Sequence, residues 1–264
     1  MEIIFNNSKI HYTHEGKLKQ HTVVLLHGFT ESLDIWDDFS AILSVDFKVI
    51  CIDLPGHGDS DCVGESHTME LMAEVVKAVL DKENVDECVM IGHSMGGYVT
   101  LAFAEKYPDY MKGLGLFHSS ALPDIPEGKA NRARAIEAIE KNHAGFVMNF
   151  IPDLFAPDNR NSLEKEIEVL IEKASTMSKE AIIASQRGMM ERKDKRDVLR
   201  NADYPVLFIA GKQDTRIPYD KVLEQIALPK DTIALLLHDI AHMGYLESKE
   251  KTLYAVKCFI EGAF

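Results

Sequence analysis

Residues 88–97 limit what this chain can fold into more than any other segment. The apolar run Cys88-Val89-Met90-Ile91 leads directly into Gly92-His93-Ser94-Met95-Gly96, and Gly97-Tyr98-Val99-Thr100-Leu101-Ala102-Phe103-Ala104 follows without a break. A strand, a tight turn and an amphipathic helix in immediate succession are the setting in which a G-x-S-x-G segment carries a nucleophilic serine. A serine in so sharp a turn takes a strained backbone conformation costing about 1 to 3 kcal/mol. Glycines on either side keep side chains out of the crowded turn. The helix that starts there aims free N–H groups and its positive dipole end at the point where an oxyanion would form. Ser94 is therefore the first candidate nucleophile.

The rest of the chain reads as an α/β fold around that turn. Strand-like runs recur at Thr22 to Leu26, Lys48 to Ile52, Cys88 to Ile91, Gly113 to Phe117, Val206 to Ala210 and Ile233 to Leu237, most of them continuously apolar. Such runs suit central strands of a parallel sheet covered on both faces. Two shorter segments, about Glu2 to Phe5 and Lys9 to His14, are expected to form an antiparallel edge. Helices are expected over Thr68 to Asp81, which has a capped, acidic start, and over Lys249 to Glu261. Between about Ser120 and Lys195 there is no strand candidate, only helical segments such as Gly128 to His143 and Leu163 to Ala174. This predicts a core of residues 1–119 and 196–264 with a helical cap, residues 120–195, inserted after the sixth strand. Parallel sheets bind ligands at the carboxyl ends of their strands, so such a cap would roof the pocket.

A serine hydroxyl is a poor nucleophile at pH 7 and needs a base, with a carboxylate to hold that base in the right tautomer. In a strand-turn-helix setting the partners follow in the order acid, then histidine. Gly211-Lys212-Gln213-Asp214 follows the strand ending at Ala210, and Ile240-Ala241-His242-Met243-Gly244 follows the strand ending at Leu237. Asp214 and His242 are the favoured acid and base, with Asp124 and Asp239 as alternative acids. Of the other histidines, His27 and His57 read as loop-bonding residues and His93 as structural, while His118 and His238 end strands and stay open. For the oxyanion the expected donors are the backbone N–H groups of Met95 and Phe29. Trp36 reads as core packing behind the His27-Gly28-Phe29 loop. A substrate pocket is expected to draw on Phe146, Phe150, Met189 and Met243.

Composition excludes several classes. A chain of 264 residues buries roughly 70 to 75% of its unfolded surface, so it needs no disulfide or metal staple. The net charge of −13 and the absence of a basic stripe argue against nucleic acid. No stretch approaches the roughly 18 apolar residues of a membrane span. The four cysteines lack C-x-x-C spacing; Cys51 and Cys88 in strands, and Cys258 in the last helix, read as small buried side chains. Free thiols and an N-terminus unlike an export signal point to the cytoplasm. Oligomeric state is not legible.

With these residues in place, the chain resembles the α/β-hydrolase superfamily. The resemblance rests on His27-Gly28-Phe29, Asp53-Leu54-Pro55-Gly56-His57-Gly58-Asp59-Ser60, the Ser94 turn, Gly211-Lys212-Gln213-Asp214 and Ala241-His242-Met243, in that order. It implies a mostly parallel twisted sheet with helices on both faces, a helical cap, and no cofactor or metal. Similar enzymes that open epoxides or displace halides use aspartate at the nucleophile, so Ser94 implies acyl chemistry on a small-molecule substrate. The expected activity is hydrolysis of a carboxylic ester with a small or medium acyl group. The alternatives are a lactonase of the enol-lactone type, a lyase resembling the menaquinone-pathway synthase, which would need pocket cations such as Arg132, Arg134 or Arg187, and a small-molecule receptor.

Overall fold

The computed structural model describes residues 1–16 and 19–264. Eight strands form one sheet: β1 (Glu2–Phe5), β2 (Ser8–Glu15), β3 (Thr22–Leu26), β4 (Lys48–Ile52), β5 (Cys88–His93), β6 (Met111–Phe117), β7 (Val206–Gly211) and β8 (Thr232–Leu237). Their spatial order is β1-β2-β4-β3-β5-β6-β7-β8. The β1–β2 and β2–β4 pairs are antiparallel, as the polar alternation of the N-terminal segments predicts, and the remaining pairs are parallel. Strands β3, β4, β5 and β7 are buried at every position, which is why their sequences show no alternation. Strand β8 has an equally apolar sequence but lies at the edge, where Ile233 is 44% exposed.

Helices cover the sheet: α1 (Asp37–Leu43), α2 (Met69–Lys82) and α3 (Met95–Lys106) lie before β6 in the chain. The Thr68 hydroxyl caps α2 by accepting the Leu71 N–H at 3.1 Å. Helix α3 differs from the amphipathic helix expected after Ser94. Every residue from Met95 to Ala104 is buried, because the helix is wrapped by the sheet on one side and α2 on the other.

Between β6 and β7 the chain forms only helices: α4 (Pro126–Lys141), α5 (His143–Phe150), α6 (Glu164–Thr176) and α7 (Lys179–Glu191), with short 3-10 turns at Pro152–Leu154 and Pro157–Asn159. The segment leaves and rejoins the sheet at one place, where the Lys195 N–H donates to the Ala121 carbonyl at 2.8 Å. Helix α7 lies directly on the loop before α2. The His67 N–H donates to the Ala184 carbonyl at 3.0 Å, and a Cβ on Gly188 would sit 1.7 Å from the His67 carbonyl oxygen. After α8 (Arg196–Arg200), the chain returns to β7, then runs through α9 (Tyr219–Leu223), β8, α10 (Gly244–Glu247) and α11 (Lys249–Ala263). Helix α11 buries Thr252, Val256, Phe259 and Ile260. Cys258 lies off that stripe and is exposed, contrary to the buried position expected from its neighbours.

The turn at Ser94 packs tightly against the end of β3. A Cβ on Gly96 would lie 2.4 Å from the Leu26 carbonyl oxygen and 2.6 Å from that of His27. Those are backbone atoms at the end of β3 and just beyond it, so nothing can swing aside. Gly96→Ala is expected to cost about 3 kcal/mol or more, whereas Gly262→Ala in α11, with nothing within 4 Å of the new methyl, should stabilise by up to about 1 kcal/mol. Urea unfolding of the two variants against the parent protein checks the contrast.

Candidate active site

Ser94 sits between β5 and α3 with φ 49° and ψ −111°, in the left-handed region that a non-glycine residue enters only when its surroundings force it. Two contacts hold it there. Its N–H donates to the Phe117 carbonyl at 2.9 Å, and the Ser119 hydroxyl donates to its carbonyl at 2.7 Å. Thr30 (φ 62°) and His118 (φ 47°) are likewise left-handed, so the segments following β3, β5 and β6 are all strained around one point.

His242 faces the serine: its Nε2 lies 2.9 Å from Ser94 Oγ, and its Nδ1 lies 2.8 Å from Asp214 Oδ2. Asp214 is almost wholly buried. Its Oδ1 accepts the N–H groups of Arg216 (2.8 Å) and Ile217 (2.9 Å), while Oδ2 faces His242 and His118. Burial pushes the Asp214 carboxyl up, but the His242 charge and the hydrogen bonds from His118 and His242 outweigh it and hold the group far below the usual carboxylate range. Neither alternative acid reaches the histidine. Asp124 is held between Arg132 (2.6 Å) and Arg192 (2.8 Å), and Asp239 is exposed beside His238.

His118 is a partner that sequence reasoning left open. Its Nδ1 lies 3.2 Å from Asp214 Oδ2, and its buried Nε2 has no protein partner among the described residues. Burial lowers its pKa to about 4, so near neutral pH it is an uncharged ring whose Nδ1–H donates to the carboxylate. His118, Asp214 and His242 place three ligand-type atoms within 4.8 Å of one another. Metal bonds of about 2.1 Å in tetrahedral geometry would hold ligand atoms roughly 3.4 Å apart. The 2.8 Å His242–Asp214 contact is shorter than that and is a hydrogen bond.

Two further carboxylates organise the loops. Glu31 Oε2 accepts the Gly28 N–H at 2.6 Å and lies 2.8 Å from His93 Nδ1, while its Oε1 accepts the Tyr245 hydroxyl at 3.1 Å. The other nitrogen of His93, Nε2, lies 3.0 Å from the His242 carbonyl oxygen. Both partners of this ring are acceptors, so both nitrogens carry protons and His93 is an imidazolium. Burial alone would lower the His93 pKa, yet the Glu31 charge and hydrogen bond raise it overall, and the same pair lowers Glu31 against its own burial. Glu247 holds the other side of His242. Its Oε1 accepts the N–H groups of Ala241 and Met243, which flank His242, at 3.1 Å each. Its Oε2 accepts from the Ala156 N–H and Asn159 Nδ2 of the helical segment at 2.9 Å each.

Ser94 and His242 open into a cavity of about 290 Å³. Phe29, Tyr98, Phe146, Phe150, Leu154 and Met189 supply apolar lining, and Arg132, Gln186 and Arg216 supply polar groups. Three of the four residues expected from the sequence, Phe146, Phe150 and Met189, line it. Met243 does not: it is fully buried in the main core and absent from the cavity wall, because the chain turns inward at α10 directly after His242. Arg134 and Arg187 lie outside the cavity, where Arg187 donates to the Glu65 carbonyl. Trp36 is buried against Phe39, Phe117 and Tyr245. His27 accepts the Leu54 N–H at Nε2 (3.0 Å), joining two loops as its position after β3 suggests. The residues missed were Glu31, Arg216 and Glu247, which join the site through contacts to His93, Phe150 and Ala156 that lie far away in sequence; the sequence leaves His118 open.

The Glu31–His93 pair makes stability depend on pH in two directions. The contribution of a raised histidine is complete below its ordinary value of 6.5 and is lost as pH rises through the higher folded value. That of a lowered glutamate is complete above its ordinary 4.5 and is lost as pH falls through the lower folded value. The stability gap between the parent protein and Glu31→Gln should therefore be widest between pH 4.5 and 6.5 and narrow on both sides. Urea unfolding across that range measures it, and a gap that stays flat into alkaline pH would mean that His93 is neutral.

Among known proteins, a family model described as the alpha/beta hydrolase fold matches residues 21–249. The pimeloyl-[acyl-carrier protein] methyl ester esterase of Neisseria meningitidis serogroup C is 28% identical over 250 residues, covering 91% of this chain and 93% of the relative. The 2-hydroxy-6-oxononadienedioate/2-hydroxy-6-oxononatrienedioate hydrolase of Paraburkholderia phymatum is 28% identical over 243 residues, 80% of this chain and 77% of that one. A thermophilic esterase from Thermogutta terrifontis superposes with TM-score 0.92 at 28% identity, covering 100% of this chain and 98% of its own. The enol-lactonase from Burkholderia xenovorans shares the fold at TM-score 0.91 and 21% identity, covering 99% of this chain and all of its own. The chain belongs to the alpha/beta hydrolase family and is an alpha/beta-fold hydrolase.

Proposed function

We propose that this protein is a serine esterase that cleaves carboxylic esters of small or medium acyl groups through an acyl-enzyme. The hydrogen-bonded line from Ser94 Oγ to His242 Nε2 (2.9 Å) and from His242 Nδ1 to Asp214 (2.8 Å) carries this reading. Ser94 Oγ attacks the ester carbonyl as its proton passes to His242 Nε2. Asp214, held ionised, fixes the imidazole tautomer and stabilises the imidazolium that forms. The carbonyl oxygen becomes an oxyanion, received by the N–H groups of Met95 and Phe29. Met95 is the first residue of α3, so its N–H has no acceptor within the helix. Collapse of the intermediate expels the alcohol, which takes the proton from His242. Water, deprotonated by the same base, then releases the acid and restores Ser94.

The cavity volume supports the size of the acyl group, since about 290 Å³ is at the small end for ligand pockets. The esterases among its relatives support the reaction class. Residues 120–195 act in this reading as a lid over the site, and the substrate is a small molecule. The four cysteines without disulfide partners fit a reducing cytoplasm, and no helix among the described residues is long and apolar enough to cross a membrane.

Ser94→Ala should lose at least about a thousandfold in kcat and escape labelling by an active-serine phosphonate, while Asp214→Asn should lose about 10⁴-fold through the wrong imidazole tautomer. Release of 4-nitrophenol from acetate, butyrate and octanoate esters measures both. Full activity in Ser94→Ala would overturn the mechanism, and a single turnover without release would favour a receptor.

A further inference from the structure

The chain carries a formal net charge of −13, yet three guanidinium groups, Arg132, Arg192 and Arg216, gather around the candidate site, where Asp124 and Asp214 are also ionised. Asp124 is one carboxylate flanked by two arginines, Arg132 and Arg192. Glu31 is balanced by the His93 imidazolium at 2.8 Å. Arg216 has no carboxylate within 4.0 Å among the described residues.

Arg216 is placed by the site itself. Its backbone N–H is bonded to Asp214, and its guanidinium stacks 4.9 Å from the centre of the Phe150 ring. Phe150 in turn meets Phe29 edge to face at 5.5 Å. The cation is thus two aromatic rings away from the loop beside Ser94. On the wall formed by α4, Arg132 spends Nε on Asp124 and Nη1 on Gln186 and Met189, while Nη2 has no protein partner among the described residues. Arg216 stays exposed at the cavity wall, and partial desolvation lowers its pKa against the longer-range pull of Asp153 and Asp214.

We propose that Arg216, aided by Arg132, is a carboxylate-binding subsite, and that the substrate is an ester carrying a free carboxylate. This rests on the ester-cleaving reading above. A planar guanidinium matches a carboxylate with two parallel hydrogen bonds. Arg216 is exposed at the cavity wall with one face against Phe150, so a carboxylate reaches it without displacing a protein partner, and the charge selects among esters of similar size.

The test uses matched esters followed in a pH-stat: methyl butyrate, monomethyl glutarate with the carboxylate on the acyl side, and butyryloxyacetate with it on the alcohol side. The parent protein should favour one charged ester over methyl butyrate by at least about tenfold in kcat/KM, and Arg216→Gln should reduce that ratio to near unity, chiefly through KM. Arg134→Gln, on the solvent side of α4, should keep the parental ratio. In parallel, glutarate should raise the melting temperature of Ser94→Ala, and not that of Ser94→Ala with Arg216→Gln. Equal turnover of all three esters with no glutarate shift would overturn the subsite and leave the esterase intact. Turnover of none would overturn the esterase reading, and the glutarate shift would then decide the subsite alone.

Discussion

The approach of the Ser94 turn to the end of β3 is the constraint on which the other features depend. Two backbones pass so closely that Gly96 leaves no room for a methyl group beside Leu26 and His27. That contact aligns the first turn of α3, with its unpaired N–H groups, against the His27-Gly28-Phe29 loop. A wider turn would separate the N–H of Met95 from that of Phe29 and would move Ser94 Oγ away from the β8 side, where His242 waits. The strain at Ser94, of order 1 to 3 kcal/mol, persists because the packing on both sides over-determines it.

Around this point the structure relies on carboxylates that accept backbone N–H groups. Asp214 takes two from its own loop, Glu31 takes one from Gly28, and Glu247 takes three, from Ala241, Met243 and Ala156. Asp53 does the same one layer away, accepting from Leu33 and Asp59. Each charge is expensive to bury and each loses that cost only when its acceptor sites are filled. The loops are consequently fixed by polar contacts that few other geometries can satisfy. Apolar packing alone would tolerate more variation.

Much of this was legible in the sequence. Continuous apolar runs marked the inner strands, and the segments after them carried Ser94, Asp214 and His242 in order. The helical stretch without strand patterning was legible too, since α4 and α6 show their periodicity directly. What escaped were pairings between loops: Tyr245 with Glu31, Glu247 with Ala156, His118 with Asp214. A strand end constrains where a residue sits, but not which distant loop comes to meet it. Met243 failed for a related reason, because adjacency to His242 says nothing about the direction taken by the next side chain. Arg216 was hidden among many surface cations until Phe150 was seen beneath it.

The two oxygens of Glu247 serve different parts of the molecule, one holding the residues beside His242 and the other holding Ala156 and Asn159. The His242 N–H adds a second tie, to the Leu154 carbonyl at 2.9 Å. The stretch from Leu154 to Asn159 therefore belongs mechanically with the His242 loop, although it lies in the helical segment between β6 and β7. A change within residues 154–159 shifts the loop that carries His242 as well as the helical segment.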